Sequence, residues 1–212
     1  GETPALPIAE WTIRESIKGP AMAAMLCKKG AQLSIRGEYE EALTYFEKAA
    51  ETNPDDPYAW YGLGSCYVGL NRAEDALAAY RRPIADDPDN ALAHFILAMY
   101  YKAAGEYDKE IDSLKEVIRI DPANTRARME MGRAYGALDH TGQQIAAYRK
   151  ILADQPTHIP ALLDLGMTLE RTGRPDEAIA LFSRARDLEP ANELIHYNMG
   201  VMYSRMNRTG DA

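Results

Sequence analysis

The sequence is poor in the residues that mark several classes of protein. Only two of its 212 residues are cysteines, Cys27 and Cys66, and they form neither a disulfide framework nor a CxxC pair. We therefore expect two plain buried thiols. β-Branched residues are sparse, whereas alanine, leucine and the charged residues dominate, and this balance favours helices over strands.

Long apolar runs and an excess of positive charge are also missing. No stretch approaches the roughly 20 apolar residues that span a bilayer, so membrane insertion is not expected. The net charge is −8, and because nucleic-acid binders usually present a basic face, we expect no nucleic-acid partner. The composition, 46% hydrophobic and 26% charged, is ordinary for a soluble globular protein, and a cytoplasmic location is slightly favoured.

A search for residues that carry chemistry finds no catalytic or metal-binding constellation. The glycine-rich stretch 62–69 has the wrong spacing for a nucleotide loop and follows no strand. We expect His94 and His196 to be packing residues, and no histidines have metal spacing. The sequence therefore predicts a protein that is not an enzyme and that uses no cofactor and no metal.

What the sequence does contain is an internal repeat of 34 residues. Prolines recur at this interval, at Pro54, Pro88, Pro122, Pro156 and Pro190. The eighth position of each repeat is small, at Gly30, Gly64, Ala98, Gly132, Gly166 and Gly200. This register predicts an N-terminal extension at 1–22, five repeats over 23–192, and a helix with the truncated start of a sixth repeat at 193–212.

Each repeat reads as two helices joined by a tight turn. Apolar residues recur at helical spacing, as in Trp60, Leu63, Gly64 and Tyr67. The turn falls on residue types that tolerate a positive φ, namely Gly37, Asn71, Gly105, Asp139, Gly173 and Asn207. The residues before each new repeat are Asp56, Asn90, Asn124, His158 and Asn192. All of these except the histidine are good N-caps.

Two glycines weaken the first helix of the second repeat. A glycine inside a helix costs about 1 kcal/mol relative to alanine. We expect Gly64 to be small because the second helix of its repeat packs across the first at that point. Gly62 lies outside the repeated column, and it either admits a ligand or is incidental.

The pattern closely resembles the tetratricopeptide repeat family. In the second repeat the resemblance rests on Trp60, Leu63, Gly64, Tyr67, Ala76, Tyr80 and Pro88, and it covers about 23–212. It implies an all-α fold, a right-handed superhelical solenoid of antiparallel helix pairs whose first helices line a concave groove. One subclass of the family grips chaperone carboxylates with lysines and asparagines. Cys27 and Ala31 stand where the first of those residues would be, which argues against that role.

Three departures from the family pattern carry predictions. Pro83 lies in a second helix, where a proline removes a hydrogen bond at a cost of about 3 kcal/mol, so we expect a kink or an early end. Glu110 and Gln144 replace a small alanine, which predicts looser packing in the third and fourth repeats. Pro160 and Pro175 lie in first turns and should be harmless.

A second stripe on each first helix, at repeat positions 2, 5, 9 and 12, is unusually apolar. By the resemblance it lines the groove, although neighbouring helices could instead bury it against one another. The predicted ligand-binding residues are Tyr58, Tyr61, Ser65, Phe95, Met99, Lys102, Arg126, Met129, Arg133, Leu163, Met167 and Tyr197. We expect an apolar or aromatic peptide as partner, with Arg126 and Arg133 contacting a carboxylate.

The two ends leave several interpretations open. Ile8, Trp11 and Ile17 are spaced for a short helix that stops at Gly19 and Pro20. Trp11 covers the flank of the first repeat, lies in a groove of its own chain or a neighbour, or is disordered. No polar capping helix follows at the C-terminus, so either the natural chain continues or the sixth first helix is the cap.

The leading hypothesis for function is a non-enzymatic protein–protein interaction scaffold. One alternative is the recognition arm of a larger multidomain enzyme or regulator. The other is a self-assembling module that associates through the N-terminal segment or the open C-terminal end.

Overall fold

The structure, a computed structural model, describes the backbone of residues 19–209 and the side chains of 19–204. Within that range the chain is all-α, as predicted, and no strand occurs there. The predicted helix around Trp11 and the last three residues lie outside it. The helices are α1 (Pro20–Ile35), α2 (Tyr39–Thr52), α3 (Pro57–Gly69), α4 (Ala73–Asp86), α5 (Ala91–Ala103), α6 (Tyr107–Ile120), α7 (Thr125–Ala137), α8 (Thr141–Asp154), α9 (Ile159–Arg171), α10 (Pro175–Leu188) and α11 (Glu193–Thr209).

These helices form two compact units, which divide inside α5 after Leu97. In the N-terminal unit α1 packs on α2, α2 on α3 and α3 on α4, and α1 also touches α3. In the C-terminal unit each helix from α6 to α11 packs on the next. Helices therefore contact chiefly their neighbours in sequence, which is the packing expected of stacked repeats.

The reversals between first and second helices are confirmed at five of the six predicted places. Gly37, Asn71, Gly105, Asp139 and Gly173 all have positive φ, between 56° and 80°. In each turn a backbone N–H bonds back five residues, as Arg72 does to the carbonyl of Tyr67 at 2.8 Å. The reversal predicted at Asn207 is wrong, because α11 runs on to Thr209. Asparagine tolerates a left-handed backbone but does not impose one.

Capping explains where the first helices begin. Oδ1 of Asn90 accepts the Ala93 N–H at 2.9 Å, and Asp56, Asn124 and Asn192 accept N–H groups in the same way. His158, which the sequence analysis set apart, also caps its helix, since its Nδ1 accepts the Ala161 N–H at 3.2 Å. All five linker residues therefore serve as N-caps.

Pro83 does not end α4 early, so that part of the prediction is wrong. The helix continues to Asp86 and is 14 residues long, the same length as the other second helices α2, α6, α8 and α10. Pro83 lies in the last turn, and its carbonyl still accepts the Asp87 N–H at 3.0 Å. Because its side chain is buried, packing offsets part of the free energy lost with the hydrogen bond. The harmless positions of Pro160 and Pro175 are confirmed, since both lie in first turns.

The core is organised around glycines that face aromatic rings. A Cβ atom added at Gly64 would overlap the Tyr80 ring, so the expected helix crossing is confirmed. Gly30, Gly132 and Gly166 face Phe46, Tyr148 and Phe182 in the same way. Gly62 is not incidental, because a Cβ there would overlap Phe46 of the preceding repeat, and both residues line a pocket between α1 and α3.

In three repeats the side chain at the fourth position makes a polar contact with the backbone carbonyl of the preceding linker proline. Trp60 Nε1 donates to the Pro54 carbonyl at 2.9 Å. The ring nitrogens Nε2 of His94 and His196 lie 3.0 and 2.7 Å from the carbonyls of Pro88 and Pro190. These side chains are structural, as the sequence analysis expected of the two histidines.

Candidate functional site

The predicted binding stripe divides into buried and exposed members. Position 5 is buried in four repeats, at Tyr61, Phe95, Met129 and Leu163. These four side chains therefore belong to the interior and offer little surface to a partner. The remaining predicted residues reach the surface or are half-buried, namely Tyr58, Ser65, Met99, Lys102, Arg126, Arg133, Met167 and Tyr197.

In the C-terminal unit, an ion-pair ladder joins three first helices. Lys102 Nζ on α5 lies 2.5 Å from Glu130 Oε2 on α7. Arg133, one turn further along α7, bonds to Glu130 at 3.0 Å and to Asp164 on α9 at 3.2 Å. The two carboxylates are largely buried, whereas Lys102 and Arg133 are nearly half exposed. Burial raises the pKa of Asp164, and the Arg133 guanidinium opposes that rise.

Beside this ladder a carboxyl group is enclosed without a partner. Glu110 on α6 is only 1% exposed, and neither of its side-chain oxygens makes a hydrogen bond within the described residues. Desolvation raises the pKa of Glu110 to about 7, although the Lys102 charge lowers it. The looser packing that was expected at this position stays a prediction, since burial alone does not measure it. Ile111 and Leu114, on the same helix, are buried with it.

A pocket of about 560 Å³ opens beside the ladder, within the C-terminal unit. We call it the C-terminal pocket. Its walls include Arg133, Asp164, Met167, Arg171, Tyr197 and Val201. Met167 is 45% exposed and Tyr197 is 68% exposed, so large apolar surfaces face the opening. The rings of Tyr148 and Phe182, which cover Gly132 and Gly166, form part of its floor.

The arginines at this pocket already have partners in the chain. Arg133 is shared between Glu130 and Asp164. Arg171 bonds to Gln144 at 3.1 Å and lies 3.6 Å from Asp139. Gln144, which replaces the small alanine of the fourth repeat, connects α8 to α9 through this bond.

A second pocket, of about 570 Å³, lies in the N-terminal unit between α1 and α3. We call it the N-terminal pocket. Its lining includes Cys27, Lys28, Ala31, Ile35, Tyr58 and Tyr61. Tyr61 is 9% exposed and its hydroxyl has no hydrogen-bond partner in the described part of the chain. Burial raises the pKa of Tyr61, and the neighbouring Tyr58 adds to the rise.

The two thiols of the N-terminal unit are not activated as nucleophiles. Burial raises the pKa of Cys27 to about 11 and that of Cys66 as well, so both thiols stay protonated and unreactive at neutral pH. Cys66 Sγ lies 3.2 Å from Ser34 Oγ. Over residues 19–204 no group of three or more His, Cys, Asp or Glu side chains could hold a metal ion. No helix in the described range is long and apolar enough to cross a membrane.

Sequence reasoning did not identify several residues of the C-terminal unit. Glu130 and Asp164 fall outside the apolar stripe, so nothing marked them as the partners of Lys102 and Arg133. Their spacing held a signal, because Glu130 lies 28 residues after Lys102 and Asp164 lies 31 after Arg133. Both intervals are close to one repeat, and such residues meet on neighbouring first helices. Arg171 was also missed because it lies outside the apolar stripe.

Models of known families match much of the chain. A tetratricopeptide repeat model matches residues 34–100 and 145–199, and a second model of the same repeat matches residues 91–124. A comparison with curated proteins returns no significant match.

Solved structures of similar fold agree with these matches. MamA is 24% identical with a TM-score of 0.64, over 76% of this chain and 94% of that one. MamA 41-end from Desulfovibrio magneticus RS-1 is 23% identical with a TM-score of 0.65, over 81% and 97%. YrrB, described as a TPR protein with an unusual peptide-binding site, is 17% identical with a TM-score of 0.64, over 93% and 100%. At these identities the likeness concerns the fold.

Proposed function

The chain belongs to the tetratricopeptide repeat family, whose members are in general non-enzymatic protein–protein interaction scaffolds, and on that premise we propose that it holds a partner peptide in the C-terminal pocket. The observation that carries the proposal is the exposure of Met167 and Tyr197 on the walls of this cavity. Its volume of about 560 Å³ lies within the range of about 300–1,000 Å³ that is usual for ligand pockets. YrrB, of similar fold, is itself described as having a peptide-binding site.

Apolar contacts supply most of the binding energy in this proposal. Methionine is flexible and polarisable, so Met167 can adapt its shape to a guest side chain. Tyr197 and Val201 offer further apolar surface from α11. Tyrosine is enriched at contact hot spots, where a few buried anchors dominate affinity. The partner is therefore expected to insert an aromatic or large aliphatic side chain.

The charged rim gives the partner an orientation and little affinity. Arg133 and Arg171 are both about half exposed. A partner carboxylate must compete with their present partners, and exposed ion pairs contribute only about 0.2–1 kcal/mol. We therefore expect an acidic residue beside the anchor, and we expect it to influence the association rate more than the strength of binding.

Peptide selection with matched variants tests this proposal. Peptides are selected from a random display library on the immobilised chain, and their affinities are measured by fluorescence anisotropy. The expected consensus is an apolar anchor next to an acidic residue. Met167→Glu should weaken these peptides at least tenfold, because it places a charge in the apolar wall.

Leu188→Glu is the matched control. Leu188 on α10 is 43% exposed, close to the 45% of Met167, and it does not line the C-terminal pocket. The control should bind as the parent chain does, and far-UV circular dichroism should show equal helicity in both variants. Selected peptides that bind the Met167 variant with unchanged affinity would refute the site.

The recognition-arm and self-assembly hypotheses remain predictions. A catalytic domain in the full open reading frame would support the first. Light scattering that shows one mass at every protein concentration would count against the second.

A further inference from the structure

Three other repeats have a small apolar residue in the column that holds Glu110. Ala42, Ala76 and Ala178 are fully buried there. Glu110 is buried almost as deeply, at 1% exposure, and neither of its side-chain oxygens makes a hydrogen bond within the described residues. A buried carboxylate without a counterion is costly, so this side chain has to keep a proton or gain a cation.

The charged groups that act on Glu110 come from the helices before and after α6 in the chain. The ammonium group of Lys102 on α5 lowers the pKa of Glu110, and the carboxylate of Glu130 on α7 raises it. Lys102 Nζ lies 2.5 Å from Glu130 Oε2. Glu110 and Glu130 are therefore two carboxyl groups within the electrostatic reach of the same lysine.

Lys102 is able to change partners. Its side chain is 42% exposed, and lysine carries its charge on a flexible stem. Glu130 does not depend on Lys102 alone, because Arg133 Nη1 donates to Glu130 Oε1 at 3.0 Å. Glu110 has no such second partner in the described part of the chain, so once ionised it gains more from the ammonium group than Glu130 loses.

The other cation close to Glu110 in the sequence is engaged elsewhere. On α6, Lys109 pairs with Glu106, and its ammonium group lies 5.5 Å from the centre of the Tyr101 ring on α5. Lys102 is therefore the cation placed to follow a charge on Glu110.

We propose that Lys102 serves the two carboxyl groups in turn: ionisation of Glu110 draws the ammonium group from Glu130 to Glu110, and protonation of Glu110 returns it. Burial raises the pKa of Glu110 to about 7, so the exchange takes place near neutral pH. In acid the ladder joins α5, α7 and α9, whereas above neutral pH it joins α7 and α9 alone.

The exchange reaches the C-terminal pocket through Arg133, which lines it. When Lys102 has left, Glu130 relies on Arg133 within the ladder, and Arg133 is less available to a partner carboxylate. This consequence rests on the proposed function. The exchange itself does not, and its test needs no peptide, so the two can fail separately.

NMR spectroscopy of the full chain, labelled with ¹³C and ¹⁵N, tests the exchange. At about pH 5.5 the Hε protons of Lys102 should show Overhauser contacts to the Hγ protons of Glu130, and at about pH 8.5 to those of Glu110 instead. The carboxyl carbon of Glu110 should titrate with a midpoint of about 7, at the same pH as the change in contacts. In Glu110→Gln the Lys102 contacts should remain with Glu130 at both pH values.

Two lysine variants test which cation responds. Lys102→Met should raise the Glu110 midpoint by about one pH unit or more, because it removes the cation that lowers it. Lys115→Met is the matched control, since Lys115 is an exposed lysine of α6 that pairs with Asp112, and it should leave the midpoint unchanged.

Contacts that stay with Glu130 at both pH values in the parent chain overturn the proposal, and so does a Glu110 midpoint near the ordinary 4.5. Loss of amide protection along α6 above neutral pH, with Lys102 still on Glu130, identifies local opening as the response and also overturns it.

Discussion

Replacing the enclosed carboxyl group of Glu110 by an amide should stabilise the protein above neutral pH. In the folded chain the pKa of Glu110 is about 7, against 4.5 for the free side chain. The charged form is therefore disfavoured by folding. Glu110→Gln keeps the size of the side chain and removes the charge.

Proton binding by Glu110 makes the free energy of unfolding depend on pH. Because the folded pKa is raised, the folded state holds a proton that the unfolded state has lost between about pH 4.5 and pH 7. The stabilising contribution of Glu110 is complete below about pH 4.5 and is lost as the pH rises through about 7. The shift corresponds to about 3 kcal/mol at 1.36 kcal/mol per pH unit.

The expected result is a pH-dependent gain. At about pH 8.5 Glu110→Gln should raise the free energy of unfolding by up to about 3 kcal/mol, and at about pH 4.5 by much less. Urea unfolding followed by circular dichroism measures both values. Comparing the variant with the parent chain at each pH cancels the titration of the four histidines.

Glu116→Gln provides the control on the same helix. Glu116 is partly exposed and pairs with Arg119 at 2.7 Å, so its loss should cost under about 1 kcal/mol, with no comparable gain at high pH. If Glu110→Gln gives the same difference at both pH values, Glu110 does not hold a proton in the folded state. A loss of stability above neutral pH would refute the reasoning altogether.

Two further substitutions test the packing and the ladder. Gly62→Ala should destabilise the chain by about 1–3 kcal/mol, because the added methyl group overlaps Phe46. Gly142 has open space around it, so Gly142→Ala should be neutral or stabilising by up to about 1 kcal/mol. Thermal unfolding measures both changes. Equal effects at the two glycines would contradict the Phe46 contact. Arg133→Gln should cost about 1–3 kcal/mol at neutral pH, because Asp164 then loses a charged partner, and less under acid conditions that protonate the carboxyl group. Urea unfolding that shows no change at neutral pH would mean that this ion pair contributes nothing.

The local structure could be predicted because it repeats. Caps, turns and helix-stopping prolines are decided by a few neighbouring residues, and the same types recur every 34 residues. The left-handed backbone of Asn71 and the cap at Asn124 followed from residue type and position. Asn207 shows the limit of this reasoning, because residue type permits a turn there and the helix nevertheless continues.

Contacts between repeats could not be predicted in the same way. Gly62 is small because of Phe46, which belongs to the preceding repeat and a different column. Aligning the repeats shows which residue types recur at each position. It does not show which residues of one repeat contact the next, so Phe46 could not be identified as the partner.

The candidate site was predicted only in part. The apolar stripe was recognised, but its periodicity could not separate buried Met129 and Leu163 from exposed Met167. Burial depends on how closely neighbouring first helices approach each other. The sequence of a single helix does not determine that distance. Glu110 was read as a substituted alanine, although its enclosed carboxyl group is the more informative feature.

The pairing of a glycine with an aromatic ring also bears on how such a chain can be rearranged. In four repeats the ring belongs to the sixteenth residue after the glycine, as Phe182 follows Gly166. Both partners therefore lie within the same 34-residue repeat, which we call a cassette. Deleting or duplicating a whole cassette from the fourth or fifth repeat leaves every ring with its glycine. The first two cassettes are different, since Phe46 also rests on Gly62, and they must be exchanged as a pair.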